Sequence, residues 1–305
     1  AEVGSAPNRV TSPSLETLAQ SGFSSSTNLV NRTAHSSGFS SLQKAKKRSK
    51  SPGSMMVSAM LGLASNAIYT TAFYMATVIE IPKRALSQIT MPLISKAFER
   101  NEINEVSSLY RKTSINQFII GSLLLIGVWI NLDNIFDLMP KGDTYELGKW
   151  VVVIVGFGKL MDMLFGPSSE IIVLSKYYRF NIILIISLSA IVIISNNILI
   201  PRYGIEGAAW GSAFALIAFN VIKFIFIYAR FGIQPFEWAT LKVLGIATLT
   251  LFVNTLVPKI GNTFLDIALR SVVVTVLFSS LILWTKPSVE ANQLFRKGMD
   301  WIRSQ

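Results

Sequence analysis

The sequence predicts an all-α, polytopic membrane protein with about seven transmembrane helices. Of its 305 residues, 51% are hydrophobic and only 15% are charged, whereas soluble domains carry about 25% charged residues. Residues 113–132, 180–201 and 207–222 contain no Asp, Glu, Lys or Arg. About 20 apolar residues cross the hydrocarbon core of a bilayer. These stretches are about twice as long as the strands of a membrane β-barrel and do not alternate, so they indicate helices.

The composition excludes several kinds of chemistry. The chain has no cysteine, so disulfides and thiolate metal sites are impossible. Its one histidine, His35, lies in a polar segment, which leaves no histidine for a metal cluster or a Ser-His-Asp triad. A GxxxxGK[ST] loop for ATP is missing. We therefore expect no cofactor and no ATP hydrolysis. The formal net charge of +11 indicates basic loops and affinity for anionic membrane lipid rather than a nucleic-acid partner.

The chain divides into three regions by composition. Residues 1–54 are rich in Ser, Thr, Asn and Gly and contain seven Lys or Arg against two Glu, so we expect a disordered tail. A transit-like extension and foreign sequence are the alternatives. Residues 55–285 form the predicted transmembrane lobe. Residues 286–305 combine basic residues with Trp301 and predict an amphipathic interfacial helix.

The transmembrane lobe contains seven hydrophobic segments, at 55–97, 113–132, 150–179, 180–201, 207–230, 239–257 and 264–285. Pro82 and Pro92 predict kinks in the first segment, because proline cannot donate to the helix ladder. Small residues at 207–212 predict close packing where the fifth segment begins.

Lysine and arginine counts predict the orientation. Residues 83–112 contain six, 223–242 contain three and 286–305 contain four, and connections with more basic residues are usually cytoplasmic. Together with the 176–179 turn, these connections and the C-terminus are predicted to face the cytoplasm.

The segment 150–179 differs from the others because it carries charges inside an apolar run. Lys159 and Glu170 lie on one helical face with Asp162 at its edge, and Gly166-Pro167 is predicted to break the helix. Charges inside a bilayer usually face a bundle interior or a water-filled cavity. We therefore interpret this face as lining a transport pathway. The alternative is a structural Lys159–Asp162 pair at i, i+3, with Glu170 near the aqueous end.

Other basic residues in the apolar segments have a simpler interpretation. Long basic side chains can extend to the membrane surface, so Lys83, Arg84 and Lys223 are expected more often as interfacial anchors than as cavity cations.

Three stretches together resemble the polysaccharide-export flippases, the Wzx-like branch of the MATE-like (MOP) superfamily. The first contains Asn66-Ala-Ile-Tyr69, Glu80-Ile-Pro82-Lys-Arg84 and Met91-Pro92-Leu-Ile-Ser95. The second is Ser175-Lys176-Tyr177-Tyr178-Arg179, and the third runs from Ile200 to Ala209. The resemblance covers residues 55–285 and implies the second of two pseudo-symmetric lobes.

The resemblance implies a function. Family members would flip an undecaprenyl-diphosphate-linked oligosaccharide across the bacterial cytoplasmic (inner) membrane by alternating access, for O-antigen or capsule biosynthesis. Other polysaccharide-assembly membrane proteins would be partners. From burial cost and helical phase, Asp162 and Glu170 are candidate coupling acids and Lys159 is a candidate substrate cation. Arg84, Lys176 and Arg179 are candidates for the cytoplasmic mouth.

Three alternatives remain open at this stage. A small-molecule antiporter of the same superfamily would not need Lys159. A membrane glycosyltransferase or polymerase would need a large extramembrane catalytic loop. A non-functional fragment would have no activity of its own.

Overall fold

The structure, a computed structural model, describes residues 52–255 and 261–285. Its helices are α1 (Pro52–Thr77), a 3₁₀ turn (Val78–Glu80), α2 (Ile81–Glu99), α3 (Ile103–Leu138), α4 (Gly142–Glu146), α5 (Lys149–Leu164), α6 (Ser168–Leu174), α7 (Phe180–Phe231), α8 (Trp238–Asn254) and α9 (Thr263–Thr285). This part of the chain contains no strand, which confirms the all-α fold class. The predicted tail up to residue 51 and the predicted helix at 286–305 lie outside the described residues.

Several helices are long and apolar enough to cross a membrane. Within the described ranges four helices meet this criterion, and α5 with α6 would make a fifth span that bends by 48°. Helix α8 is apolar but has only 17 residues. Each of the seven predicted hydrophobic segments overlaps a helix in the described part of the chain, and the sixth lies within it only as far as residue 255. The protein is therefore a multi-pass helical membrane protein.

Helix α7 folds back on itself as a hairpin. Its 52 residues would extend about 78 Å if straight, more than twice the roughly 30 Å hydrocarbon core. Gly204 adopts a φ of 59°, which reverses the chain at little steric cost because glycine has no Cβ. Gly211 then lies against Asn196, where an added Cβ would overlap the side-chain oxygen. The predicted turn at 201–206 and the close packing that follows it are confirmed.

Helix α1 contains a second reversal, at Gly62, where φ is 87°. The Ser54 hydroxyl donates a hydrogen bond to Asn66 Oδ1 at 3.0 Å, although residues twelve apart would be about 18 Å apart in a straight helix. Residues 52–61 therefore pack against the rest of α1. The sequence analysis missed this reversal and treated 55–97 as one long, kinked helix.

Helix α5 lies at the centre of the packing. Its residues Val151, Val152 and Val155 are buried in one apolar cluster with residues of α1, α3 and α7. A Cβ on Gly158 would lie 3.1 Å from Ala213 of α7, so glycine permits the close approach of these two helices. This approach places the next turn of α5, with its charged residues, in the protein interior.

Candidate functional site

The candidate site begins where α5 ends. Gly166 adopts a φ of 56° and Pro167 cannot donate a backbone hydrogen bond, so α6 starts in a new direction. The Ser114 hydroxyl of α3 donates a hydrogen bond to the carbonyl of Leu164, one of the carbonyls left open at a helix end. The break holds the last turn of α5 and the first turn of α6 beside the second leg of α7, which is the part of the hairpin after Gly204.

Asp162 is the centre of a buried cluster and is only 8% exposed. Its Oδ2 accepts a hydrogen bond from Lys83 Nζ of α2, and its Oδ1 accepts one from Asn220 Nδ2 at 2.9 Å. Lys223 Nζ lies 4.0 Å from Oδ1 and donates to Ser169 Oγ at 3.0 Å. We call these residues the Asp162 cluster; its side chains come from α2, α5, α6 and α7.

A second ion-pair cluster lies one turn away along α5. Lys159 Nζ donates a hydrogen bond to Glu80 Oε2 and lies 5.8 Å from the centroid of the Phe73 ring. Arg84 Nη2 lies 3.6 Å from the other oxygen of Glu80. We call Glu80, Arg84 and Lys159 the Glu80 cluster.

The two clusters pair two short segments, each of which carries an acid and a lysine three residues apart, in opposite order. Glu80 pairs with Lys159 and Lys83 with Asp162, and in both pairs the partners are 79 residues apart in the sequence. The structure therefore has two pairs between helices in place of the i, i+3 pair within α5 that was the alternative interpretation. These pairs join the start of α2 to the end of α5.

Glu170 lies at the start of α6, close to the Asp162 cluster. Its Oε2 is buried and accepts no hydrogen bond from any residue that the structure describes. It directly follows Ser169, which accepts the hydrogen bond from Lys223. With Glu170 counted, two lysines and two carboxylates balance in formal charge.

Two lysines contradict the expectation of surface anchors. Lys223 is 1% exposed and Lys83 contacts Asp162, so neither ammonium extends to the membrane surface. Their counter-charge is Asp162 of α5. Because α5 is distant in sequence from both lysines, the residues around each lysine could not predict this partner. The expectation of anchoring fails because a buried carboxylate offers the ammonium a closer partner.

Arg84 differs from the buried cations because its side chain is 59% exposed. It lies fifteen residues before the end of α2 at Glu99, which is about 22 Å along a helix. Arg84 is thus the one well-exposed charge of the Glu80 cluster, and it lies about four turns before the end of α2.

The two remaining predicted site residues do not join either cluster. Lys176 lines a groove where α6 meets α7. Arg179 Nε donates a hydrogen bond to the Tyr178 hydroxyl at 3.3 Å on an exposed surface. The predicted kink residues Pro82 and Pro92 lie at the start and in the interior of α2. Within the described ranges, no group of three or more His, Asp or Glu side chains could hold a metal ion.

Comparison with known proteins shows the fold. No protein-family model and no curated protein sequence matches this chain. A solved structure titled "Lipid II flippase MurJ, inward closed conformation" matches with a TM-score of 0.55 and 16% sequence identity. The match covers 76% of this chain and 52% of that chain, so the protein spans about half the length of the flippase it matches. At this identity the likeness is one of fold.

Proposed function

We propose that the protein moves a lipid-linked oligosaccharide, of the undecaprenyl-diphosphate class, across a bacterial inner membrane by alternating access and without ATP hydrolysis. The observation that carries the proposal is the Glu80 cluster, in which an exposed Arg84 and a partly exposed Lys159 share one carboxylate. In this proposal α2 and α5 cross the bilayer, which puts these charges inside it. Exposed charge at that depth is costly in lipid, so it indicates a face turned toward water or a polar substrate. The C-terminus would then be cytoplasmic and the exported sugar would serve O-antigen or capsule synthesis.

The chemistry of the two cations fits a diphosphate. Arginine presents several N–H donors in a planar fork that matches phosphate oxygens, and lysine adds a compact positive charge. Glu80 sits between Arg84 and Lys159 and orients both. When a diphosphate approaches, it competes with one carboxylate for two cations, so capture does not require breaking the buried Asp162 cluster.

The connections between helices give little room for catalysis. Within 52–255, the longest connection between helices is 232–237, only six residues. A glycosyltransferase or polymerase acting on the same lipid-linked sugars would need a large extramembrane loop with catalytic side chains, and the described part of the chain offers no such loop.

The proposal is tested by introducing Arg84→Gln or Lys159→Gln into the native gene, so that no wild-type copy is present. The measurement is how fast a labelled lipid-linked oligosaccharide becomes accessible on the outer face of the membrane. Each variant should slow translocation at least about tenfold, because a charge-assisted hydrogen bond contributes about 1.5–3 kcal/mol. Arg84→Lys should lose less, since it keeps the charge.

The matched control is Arg202→Gln, which removes an exposed arginine from the α7 turn. It should translocate at the wild-type rate. Normal translocation by Arg84→Gln and Lys159→Gln would refute the flippase proposal. Cationic-dye efflux that persists in Lys159→Gln cells would instead favour a small-molecule antiporter, which would not need Lys159.

A further inference from the structure

A groove of about 660 Å³ opens where four helix ends meet. Its walls come from the end of α2, the start of α3, the end of α6 and the end of α7. Its polar lining consists of Ser95, Glu99, Asn101, Ser175, Lys176 and Arg230. None of these residues belongs to the Glu80 or Asp162 cluster. We call this feature the helix-end groove.

Two cations of the helix-end groove flank one aromatic ring. Lys176 Nζ lies 5.3 Å from the centroid of the Tyr177 ring, and the Arg230 guanidinium carbon lies 5.2 Å from it. Neither cation forms an ion pair with an acid among residues 52–255 and 261–285. Both therefore keep their hydrogen-bonding capacity for a ligand.

The chain around Lys176 is held in place by its neighbours. The Ser175 hydroxyl donates to the Ile172 carbonyl at 2.8 Å and accepts the Tyr177 backbone N–H at 3.1 Å. The Tyr177 ring in turn packs edge-on against Phe231 at 5.8 Å between centroids. Lys176 thus projects from a fixed turn rather than from a free loop.

The floor of the helix-end groove is aromatic. Phe98 and Phe231 line it, and their ring centroids are 5.7 Å apart. Tyrosine, the residue type of the Tyr177 ring beside both cations, is frequent where membrane helices meet the headgroup layer. The ends of α2, α6 and α7 are where such helices would leave the membrane. A site with an apolar floor and a cationic rim matches the boundary between acyl chain and headgroup.

We propose that the helix-end groove binds the phosphate of an anionic phospholipid headgroup, with Lys176 and Arg230 on the phosphate and the glycerol end of the lipid over Phe98 and Phe231. Basic pockets between membrane helices bind lipid headgroups in this way. The volume lies in the range of small-ligand pockets. Glu99, the one acid in the lining, opposes the anion and keeps its affinity moderate. This site is separate from the proposed flipping pathway.

The test measures lipid retention by the purified, delipidated chain in detergent, using native mass spectrometry with phosphatidylglycerol and, as the neutral comparison, phosphatidylcholine. The wild type should retain one phosphatidylglycerol in preference to phosphatidylcholine. Lys176→Gln and Arg230→Gln should each weaken retention about fivefold. Glu99→Gln should strengthen it.

Arg179→Gln is the matched control, because Arg179 is an exposed cation in the same turn but does not line the helix-end groove. It should retain the lipid as the wild type does. A loss equal to that of Lys176→Gln would mean diffuse surface charge and would overturn the proposal. Weaker retention by Glu99→Gln would do so as well, because removing a negative charge beside a bound anionic headgroup should not weaken its binding.

A competition arm separates the two possible sources of phosphate. Soluble glycerol phosphate should displace phosphatidylglycerol only weakly, because it cannot use the aromatic floor. Displacement at equal concentrations would assign the site to a free phosphate and overturn the lipid proposal. Each variant is also unfolded by denaturant, and an unchanged midpoint shows that lipid loss does not come from a misfolded protein.

Discussion

Replacing Asp162 by asparagine should be among the most damaging single changes in the described part of the chain. The substitution keeps the shape but removes the negative charge that faces Lys83 and Lys223. Lys223 is 1% exposed and its ammonium cannot reach water, so it would lose its nearest counter-charge at 4.0 Å. Removing one partner of a buried ion pair costs about 3–5 kcal/mol, and we expect a loss of that size.

The assay is the free energy of unfolding in mixed micelles, from a denaturant titration with one midpoint and slope for each variant. Asp133→Asn is the matched control. It removes the same kind of charge from a pair with Lys149 in which the side chains are 40% and 34% exposed, and exposed pairs contribute under about 1 kcal/mol.

A double variant identifies the cause of the loss. If Asp162→Asn is damaging because it strands an ammonium, then adding Lys223→Met should recover about 1–3 kcal/mol, since the stranded charge is gone. Equal losses for Asp162→Asn and Asp133→Asn would refute the reasoning. A double variant that is less stable than Asp162→Asn alone would also refute it, and would show that Lys223 acts through Glu170 and Ser169 instead.

Three further predictions concern glycines and use the same titration. Gly211→Ala should lose about 1–3 kcal/mol, because its Cβ would overlap Asn196; a wild-type midpoint would mean that the two legs of α7 can separate freely. Gly245→Ala, also inside a helix but with nothing within 4 Å of the added Cβ, should instead gain about 0.5–1 kcal/mol. Gly204→Ala should lose about 1–3 kcal/mol despite open space around it, because its φ of 59° is unfavourable for alanine; no loss there would show that the turn relaxes.

Two chain reversals, at Gly204 and Gly62, show which turns the neighbouring sequence can predict and which it cannot. The turn at Gly204 lies between two apolar stretches, and Pro201 and Gly207 flank it. One proline and two glycines within seven residues therefore predict a turn there. The reversal at Gly62 has only one glycine, between Leu61 and Leu63. A single glycine is tolerated within helices, and its positive φ cannot be read from the sequence.

The sequence predicted the charged residues of α5 and α6 in the candidate site, but not their partners on other helices. Burial cost and helical phase mark Lys159, Asp162 and Glu170 because all three lie on one short apolar segment. Their partners Glu80 and Lys83 lie 79 residues earlier, and no periodicity within α5 can reveal them. The general tendency of lysine to reach the surface favoured the wrong assignment for Lys83, since that tendency takes no account of a buried carboxylate on another helix.

The occupied oxygens of Asp162 limit how it could couple transport to an ion gradient. Lys83 and Asn220 engage both oxygens, so a metal cation would first have to displace them. A proton would only have to neutralise the carboxylate, which would release Lys83 and thereby one of the two ion pairs that join the start of α2 to the end of α5. Asparagine mimics the neutral acid, so the expected loss of about 3–5 kcal/mol also measures what protonation would make available. Moving a two-state equilibrium from 1:99 to 99:1 takes about 5.5 kcal/mol. If the proposed alternating access is a transition of this size, protonation of Asp162 would supply most of it but not all. A loss under about 1 kcal/mol for Asp162→Asn would remove Asp162 as a candidate coupling acid.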